Sequence, residues 1–273
     1  MASSIQEAVG LEAVAWAPKR CSIDPAAFDC GRVGPYNLGP EVRLGPYGPV
    51  HLAIGRDFEN VLEIERIEVA AYDEDSRSGT GLAARILDRL NHCVGLRHPH
   101  VACLLGAGLD GESPYLLRGH GLGRTLADLS QCDMAPPPDV AAGILYSVVE
   151  GVAFLLDAGP SPGICGPGGV GASSVYIGWD GSVRVLGAGF SFLRTEGEAS
   201  ELRALYLLAE ALDPTLGKVV EDAESVREAS LRLRRWRREA CAHRQSWVGA
   251  WLRRTDPEAC ASLRRFFSLA PLN

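Results

Sequence analysis

The strongest constraint on this fold is that the sequence divides into two unlike halves. Residues 36–117 hold short β-forming runs separated by Gly and Pro, with one helical pattern at residues 81–96. A long apolar helical pattern at residues 139–157 and further helical patterns fill most of the rest. Period-two alternation predicts an antiparallel sheet, and spacings of three and four predict helices. We therefore expect a two-lobed α+β protein with an N-terminal extension (1–35), a small β-rich lobe (36–118) and a larger helical lobe (119–273).

Composition narrows the class of protein. The 273 residues are 47% hydrophobic, enough to bury a sizeable core, and the net charge of −7 disfavours nucleic acid and anionic membranes as partners. The apolar stretch 140–156 contains Glu150 and is slightly short of a span, which favours a buried core helix, with Asp139 as its expected N-cap. The start MASSIQEAVG has no leader pattern, and the eight cysteines form no CxxC pair. We expect a cytoplasmic protein with reduced thiols and no membrane partner.

Four sequence stretches, in order and at the right distances, resemble the eukaryotic-type protein kinase fold. RLGPYGPVHLAI resembles a shortened Gly-rich loop between two strands, and LRHPHVACLLGAG resembles the segment after the kinase αC helix. YLLRGHGLGRTLADL resembles the hinge, and SVYIGWDGSVRVLGAG resembles the hairpin that leads into the metal-binding motif. The resemblance implies a kinase-like two-lobed fold over about residues 36–270.

The strand VLEIERI resembles the one that carries the phosphate-binding lysine of kinases, and Glu65 stands in the place of that lysine. Arg66 points to the opposite face of the strand, and the only lysines are Lys19 and Lys218, so no lysine of the small lobe substitutes. No arginine is a strong candidate to reach in. Arg89 stands near the place of the αC glutamate, so a Glu65–Arg89 pair is conceivable.

The resemblance also places the catalytic loop, and the reactive groups are missing from it. In PGGVGASS, Gly169 matches the base Asp, Gly171 the loop lysine and Ser174 the Mg²⁺-binding Asn. Gly187 matches the second metal-binding Asp. The resemblance therefore implies no catalytic base and no metal ligand.

The helix SELRALYLLAEAL begins roughly a dozen residues after Gly189, too soon for a normal activation segment. Near the C-terminus, Cys260 replaces the Arg that pairs with the A-P-E Glu. Both partners of that bridge are thus lost together, which a stable fold tolerates better than the loss of one.

The vestigial nucleotide site falls on two segments. The loop contributes Gly45, Gly48 and Val50, and the hinge contributes Leu117 and Gly119. Pro46 and Pro49 lack the amides that would face phosphate, which disfavours tight triphosphate binding.

Competing motifs have ordinary explanations. Gly166, Gly168 and Gly171 spell G-x-G-x-x-G, but a Pro/Gly stretch precedes them and a strand follows, so a degenerate loop is favoured over a dinucleotide site. The His/Cys-rich residues 92–103 lack paired ligand spacing and are interpreted as core and turn residues.

An arginine-rich helix at residues 225–244 is the candidate partner surface. Its basic residues are Arg227, Arg234, Arg235 and Arg238. A solvated face is the simpler interpretation, and a docking surface for an acidic or phosphorylated segment is the functional one.

These observations predict a pseudokinase: a catalytically inactive scaffold or allosteric regulator that binds another protein, such as an active kinase, and needs no cofactor or metal. One alternative is a divergent ATP-dependent kinase or transferase that uses residues such as Arg66 or Asp180. The other is a metal-independent nucleotide-sensing module that uses the hinge.

Overall fold

The computed structural model describes residues 28–55, 61–68, 79–121, 123–131, 135–160, 163–190, 197–240 and 245–255. Six strands form the first sheet: β1 (Arg32–Val33), β2 (Tyr36–Leu44), β3 (Pro49–Ile54), β4 (Val61–Arg66), β5 (Leu104–Asp110) and β6 (Ser113–Gly119). All neighbours are antiparallel, in the order β1-β2-β3-β4-β6-β5. The sheet thus starts with β1, inside the stretch assigned to the extension.

The two faces of this sheet differ because side chains alternate along each strand. On β4, Ile64 points into an upper apolar cluster with Leu38 and Tyr115, whereas Glu63 and Glu65 point to the other face. Helix α1 (Gly79–Cys93) buries an apolar stripe with spacings of three and four and packs on β5 and β6. The sheet, α1 and their connections form the small lobe.

The larger lobe is mostly helical. Its elements are β7 (Gly123–Thr125), α2 (Leu126–Ser130), α3 (Pro138–Asp157), β8 (Val175–Gly178), β9 (Val183–Val185), α4 (Gly197–Leu212), α5 (Pro214–Glu221), α6 (Val226–Ala240) and α7 (Gln245–Thr255). Strands β7, β8 and β9 form a small sheet in that order.

Helix α3 is the centre of this lobe. It packs against β9, α4, α6 and α7. By length and composition alone it could cross a membrane, although 61% of its most apolar stretch is buried within the protein. The predicted N-cap, Asp139, is wrong. The N-cap is Pro137, whose side chain makes no cap hydrogen bond, and the helix begins at Pro138 because proline is well suited to the first helical turn. Asp139 lies in that turn, where its charge suits the helix dipole.

The segment between α1 and β5 ties the two lobes together through the backbone. The Ala102 amide donates to the Val185 carbonyl, and the Val185 amide donates to the His100 carbonyl, both at 2.9 Å. The loop can approach α3 this closely because residue 151 is glycine; a Cβ there would collide with the His100 carbonyl oxygen. This contact fixes the small lobe above the loops of the larger one.

Candidate functional site

The cleft lies under β4 and β6, above the loops before β8 and after β9. Glu63 and Glu65 point down into it from β4, and Arg118 points down from β6, opposite Glu63 in the strand register. All three charged side chains are buried. Buried charges are stable only when they are paired and hydrogen-bonded, so the contacts of these residues define the site.

The inner part of the cleft is filled by a buried ion pair. The Arg118 Nη1 donates to the Glu65 carboxylate at 2.7 Å, and its Nη2 donates to the Leu186 carbonyl at 2.8 Å. The other Glu65 oxygen accepts from the Tyr47 amide at 2.7 Å. Residue 45 has no room for a side chain, since a Cβ there would collide with the Glu65 carboxylate. The Glu65 carboxylate therefore has partners on β6 and in the loop above it.

Tyr47 closes the cleft from above. It lies in a tight turn whose Gly45 amide donates to the Gly48 carbonyl at 2.8 Å. Its ring stacks on Phe190 with centroids 3.5 Å apart and planes 14° apart, and its hydroxyl donates to the Pro167 carbonyl at 3.3 Å. A Cβ at Gly187 would meet this hydroxyl. The small-lobe loop thus rests directly on the larger lobe.

The outer part of the cleft holds a second charged network. The Glu63 carboxylate pairs with Arg43 from β2 and, at 2.9 Å, with the Nδ1 of His120. The Arg43 guanidinium lies 5.5 Å from the ring centroid of Tyr176, which forms the floor on β8. Burial alone would raise the pKa of Glu63, but Arg43 and His120 hold that pKa below its ordinary value. Glu63 is therefore a stable carboxylate, matched to its neighbours.

The loop beneath the cleft is held by a carboxylate that sequence reasoning missed. Gly168 and Gly169 adopt positive φ of 75° and 100°, and their amides converge on the buried Glu201 of α4. The Gly168 amide donates at 2.6 Å and the Gly169 amide at 2.9 Å. Two adjacent amides aimed at one point form an anion-binding nest, and here the protein's own side chain occupies it.

Three comparisons place this architecture among known proteins. No protein-family model matches the sequence, and no curated protein is significantly similar to it. Two crystal structures of the PknI kinase domain of Mycobacterium tuberculosis superpose with TM-scores of 0.57 and 0.58 at 11% and 12% identity. A double mutant of that domain gives 0.60 at 14%. The alignments cover 75% of this chain and 96% or 97% of the other.

The chain has a protein kinase-like fold. The predicted two-lobed α+β architecture is thereby confirmed. The comparison concerns the fold, and no activity follows from it at this level of identity.

Glu65, which the resemblance places at the position of the phosphate-binding lysine, lies buried on β4. The pair with Arg89 that the sequence left conceivable is not the one formed, because the ion-pair partner of Glu65 is Arg118, an arginine that was not recognised as a candidate. Arg118 was missed because it falls between Leu117 and Gly119, in a segment interpreted as a hinge.

The remaining predicted positions lie in the loop before β8 and on strands β3 and β6. The Ser174 hydroxyl is buried and exchanges hydrogen bonds with the backbone of Gly171. Val50 is buried on β3, opposite Glu65. Leu117 turns into the upper cluster, and Gly119 pairs with Leu62.

Two proposed substitutes for catalytic residues lie away from the cleft. Arg66 points to the opposite face of β4 and pairs with Asp110 at 3.2 Å. Asp180 lies in the turn between β8 and β9, where its carboxylate accepts from the Ser182 amide at 2.9 Å. Among the described residues, no group of three His, Cys, Asp or Glu side chains is arranged to hold a metal ion.

The predicted partner surface lies on α6, and some of its arginines make contacts with other residues of the chain. Arg227 pairs with Asp157 at 2.7 Å, and Arg234 donates to the Tyr146 hydroxyl at 3.2 Å. Arg235 is exposed, and the Arg238 side chain lies outside the described residues.

Proposed function

We propose that this chain is a catalytically inactive kinase-like protein that acts by binding another protein, as a scaffold or an allosteric regulator. One observation carries the proposal. The place where a kinase holds phosphate contains the buried Glu65–Arg118 pair, with Tyr47 above it. Phosphoryl transfer depends on groups that position the phosphate and stabilise its charge. Glu65 and Arg118 bind each other and therefore supply neither function to a phosphate.

Electrostatics at Glu65 oppose nucleotide binding. A carboxylate repels a triphosphate where kinases attract it with a lysine. Arg118 neutralises this carboxylate but is not available to a phosphate, because its guanidinium already donates to Glu65 and to the Leu186 carbonyl. A nucleotide phosphate would have to break both contacts within a buried environment, where an unpaired charge is costly.

The residues around the loops do not fit magnesium. Gly169 and Gly187 have no side chains, and the Ser174 hydroxyl is used by its own loop. Mg²⁺ prefers carboxylates and phosphate oxygens in octahedral geometry. The divergent-kinase alternative therefore relies on Arg66 or Asp180, and both lie away from the cleft.

Peptide substrates also lack their usual platform. Helix α4 begins at Gly197, only eight residues after Gly189. A kinase places a peptide-docking segment and its A-P-E end between these points. We therefore propose that the partner binds elsewhere on the surface.

A phosphotransfer assay tests the inactive part of this proposal. Purified protein is incubated with γ-labelled ATP, Mg²⁺ or Mn²⁺ and a generic substrate, beside an active kinase as positive control. We expect incorporation equal to the no-protein background. Incorporation that is lost in Arg66→Ala or Asp180→Ala would instead identify a divergent enzyme.

Binding of a partner protein through α6 can be tested separately from catalysis. Arg234 and Arg235 on α6 would hold an acidic or phosphorylated segment through bidentate contacts. Fluorescence anisotropy with matched phosphorylated and unphosphorylated peptides should show binding that Arg234→Glu/Arg235→Glu removes. Arg97→Glu, at a position of the small lobe far along the chain from α6, is the charge-reversal control and should leave binding unchanged.

A further inference from the structure

Two cysteines from different lobes meet behind the cleft. Cys93 ends α1 of the small lobe, and Cys165 lies just before the glycine loop of the larger lobe. Both are free thiols, and both are buried. The Cys165 sulfur lies 3.8 Å from the carbonyl oxygen of His92, the residue that directly precedes Cys93.

Backbone contacts hold the two sulfurs in place. The Cys93 thiol donates to the Arg89 carbonyl at 3.4 Å, and the Cys165 thiol donates to the His92 carbonyl at 3.8 Å. The Gly189 amide donates to the Cys165 carbonyl at 3.1 Å, and a Cβ on Gly189 would lie 3.0 Å from the Cys93 sulfur. The pair therefore connects α1, the loop before β8 and the segment after β9.

We propose that Cys93 and Cys165 form a reversible disulfide that fastens α1 to the larger lobe, with glutathione disulfide as the oxidant. This inference does not depend on the proposed function. One protein thiolate attacks glutathione disulfide, which breaks its S–S bond, forms a mixed disulfide and releases one glutathione. The second protein thiolate attacks the mixed disulfide and releases the second glutathione. Two electrons and the two thiol protons pass to the two glutathione molecules.

Access to the pair requires local opening. Burial raises the pKa of both thiols, so few thiolates are present while the lobes stay packed. Local opening exposes such groups at a frequency set by the stability of the contacts that cover them. Gly189 lies against the Cys93 sulfur, and Phe190, the next residue, stacks on Tyr47 of the loop between β2 and β3. The disulfide should thus form when the small-lobe loop lifts from the larger lobe.

The test is a timed oxidation of the full chain in glutathione buffers of increasing oxidised fraction. Samples are alkylated and digested, and the disulfide peptides are mapped by mass spectrometry. We expect a Cys93–Cys165 linkage that a reductant reverses. It should raise the melting temperature by roughly 5–10 °C because it closes a long loop. Cys103→Ala, a half-buried position outside the pair, is the matched control and should keep the linkage.

A second variant tests the opening step. Tyr47→Ala should raise the rate of linkage by about tenfold, which corresponds to a loss of about 1.4 kcal/mol in the stability of the closed contact. The inference is overturned if Cys93 and Cys165 remain alkylatable in both wild type and Tyr47→Ala at the most oxidising ratio. It is also overturned if the rate is the same in the two proteins.

Discussion

Arg118 and Glu65 form an ion pair at 2.7 Å between neighbouring strands of the small lobe, and both side chains are buried. The same guanidinium donates to the Leu186 carbonyl of the larger lobe at 2.8 Å. One arginine therefore neutralises the Glu65 carboxylate and joins the two lobes.

Removal of one partner of this pair should be strongly destabilising. Arg118→Met leaves the Glu65 charge uncompensated and should lower the free energy of unfolding by about 3–5 kcal/mol, measured by urea denaturation. The double variant Glu65→Leu/Arg118→Met removes both charges and should lose much less than the sum of the single variants.

The control for this cycle is Arg66→Ala on the same strand as Glu65. Arg66 pairs with Asp110 at the surface, with side chains 41% and 37% exposed. The loss should therefore be about 0–1 kcal/mol. Equal losses for Arg118→Met and Arg66→Ala would contradict a buried, structural role for the pair.

An aspartate introduced at position 187, where the resemblance implies a metal ligand, should not bind Mg²⁺, because the Tyr47 hydroxyl occupies the space for its side chain. In Gly187→Asp the new side chain would meet the Tyr47 hydroxyl, and overpacking should cost about 1–3 kcal/mol. The control is Gly171→Asp at a nearby exposed site, where an added Cβ would have nothing within 4 Å and φ is −118°, so it should be nearly neutral. Thermal denaturation with and without Mg²⁺ compares the two, and stabilisation of Gly187→Asp by Mg²⁺ would contradict the prediction.

The glycine loop should depend on Glu201. Glu201→Ala removes the acceptor for the Gly168 and Gly169 amides, and we expect a loss of about 2–3 kcal/mol together with faster hydrogen exchange at these amides. Glu201→Gln keeps an acceptor oxygen and should lose less. Unchanged exchange in Glu201→Ala would show that the loop holds its shape without the carboxylate.

Acid should weaken the contact between the lobes through His98. Burial, aided by His100 and opposed by Glu150, lowers the pKa of His98 below its ordinary 6.5, while its ring stacks on Phe154 with centroids 4.7 Å apart. As the pH falls, His98 is therefore protonated at a higher pH in the unfolded state than in the folded state. The free energy of unfolding should decrease as the pH falls below about 6.5.

The variant His98→Asn keeps an acceptor for the His100 amide and does not titrate in this range. Its free energy of unfolding should fall less than that of wild type between pH 7 and pH 5. If the free energy of unfolding fell equally with pH in both proteins, groups other than His98 would be responsible for the destabilisation by acid.

The sequence alone was sufficient for the two-lobed α+β architecture, because strand alternation and helical spacings are short-range signals. It was insufficient for Arg118, which lies 53 residues from Glu65, stands opposite Glu63 in the strand register and reaches Glu65 diagonally across β4 and β6. Tyr47 was overlooked for a related reason. From the sequence, only the prolines beside it, which lack amide N–H groups, were considered. In the structure the Tyr47 amide donates to Glu65 of β4, and its ring stacks on Phe190 of the larger lobe. Glu201 and the glycine loop are likewise joined only by tertiary structure.

The central proposal is that the protein's own side chains fill the space between the lobes in which a kinase would hold a nucleotide. A thermal-shift titration with ATP, ADP and AMP, each with and without Mg²⁺, tests it most directly, since a ligand that binds the native state raises the melting temperature. We predict no shift with any nucleotide in wild type. A Mg²⁺-dependent rise with ATP would contradict the account, because it would require the Glu65–Arg118 pair to give way to phosphate and metal.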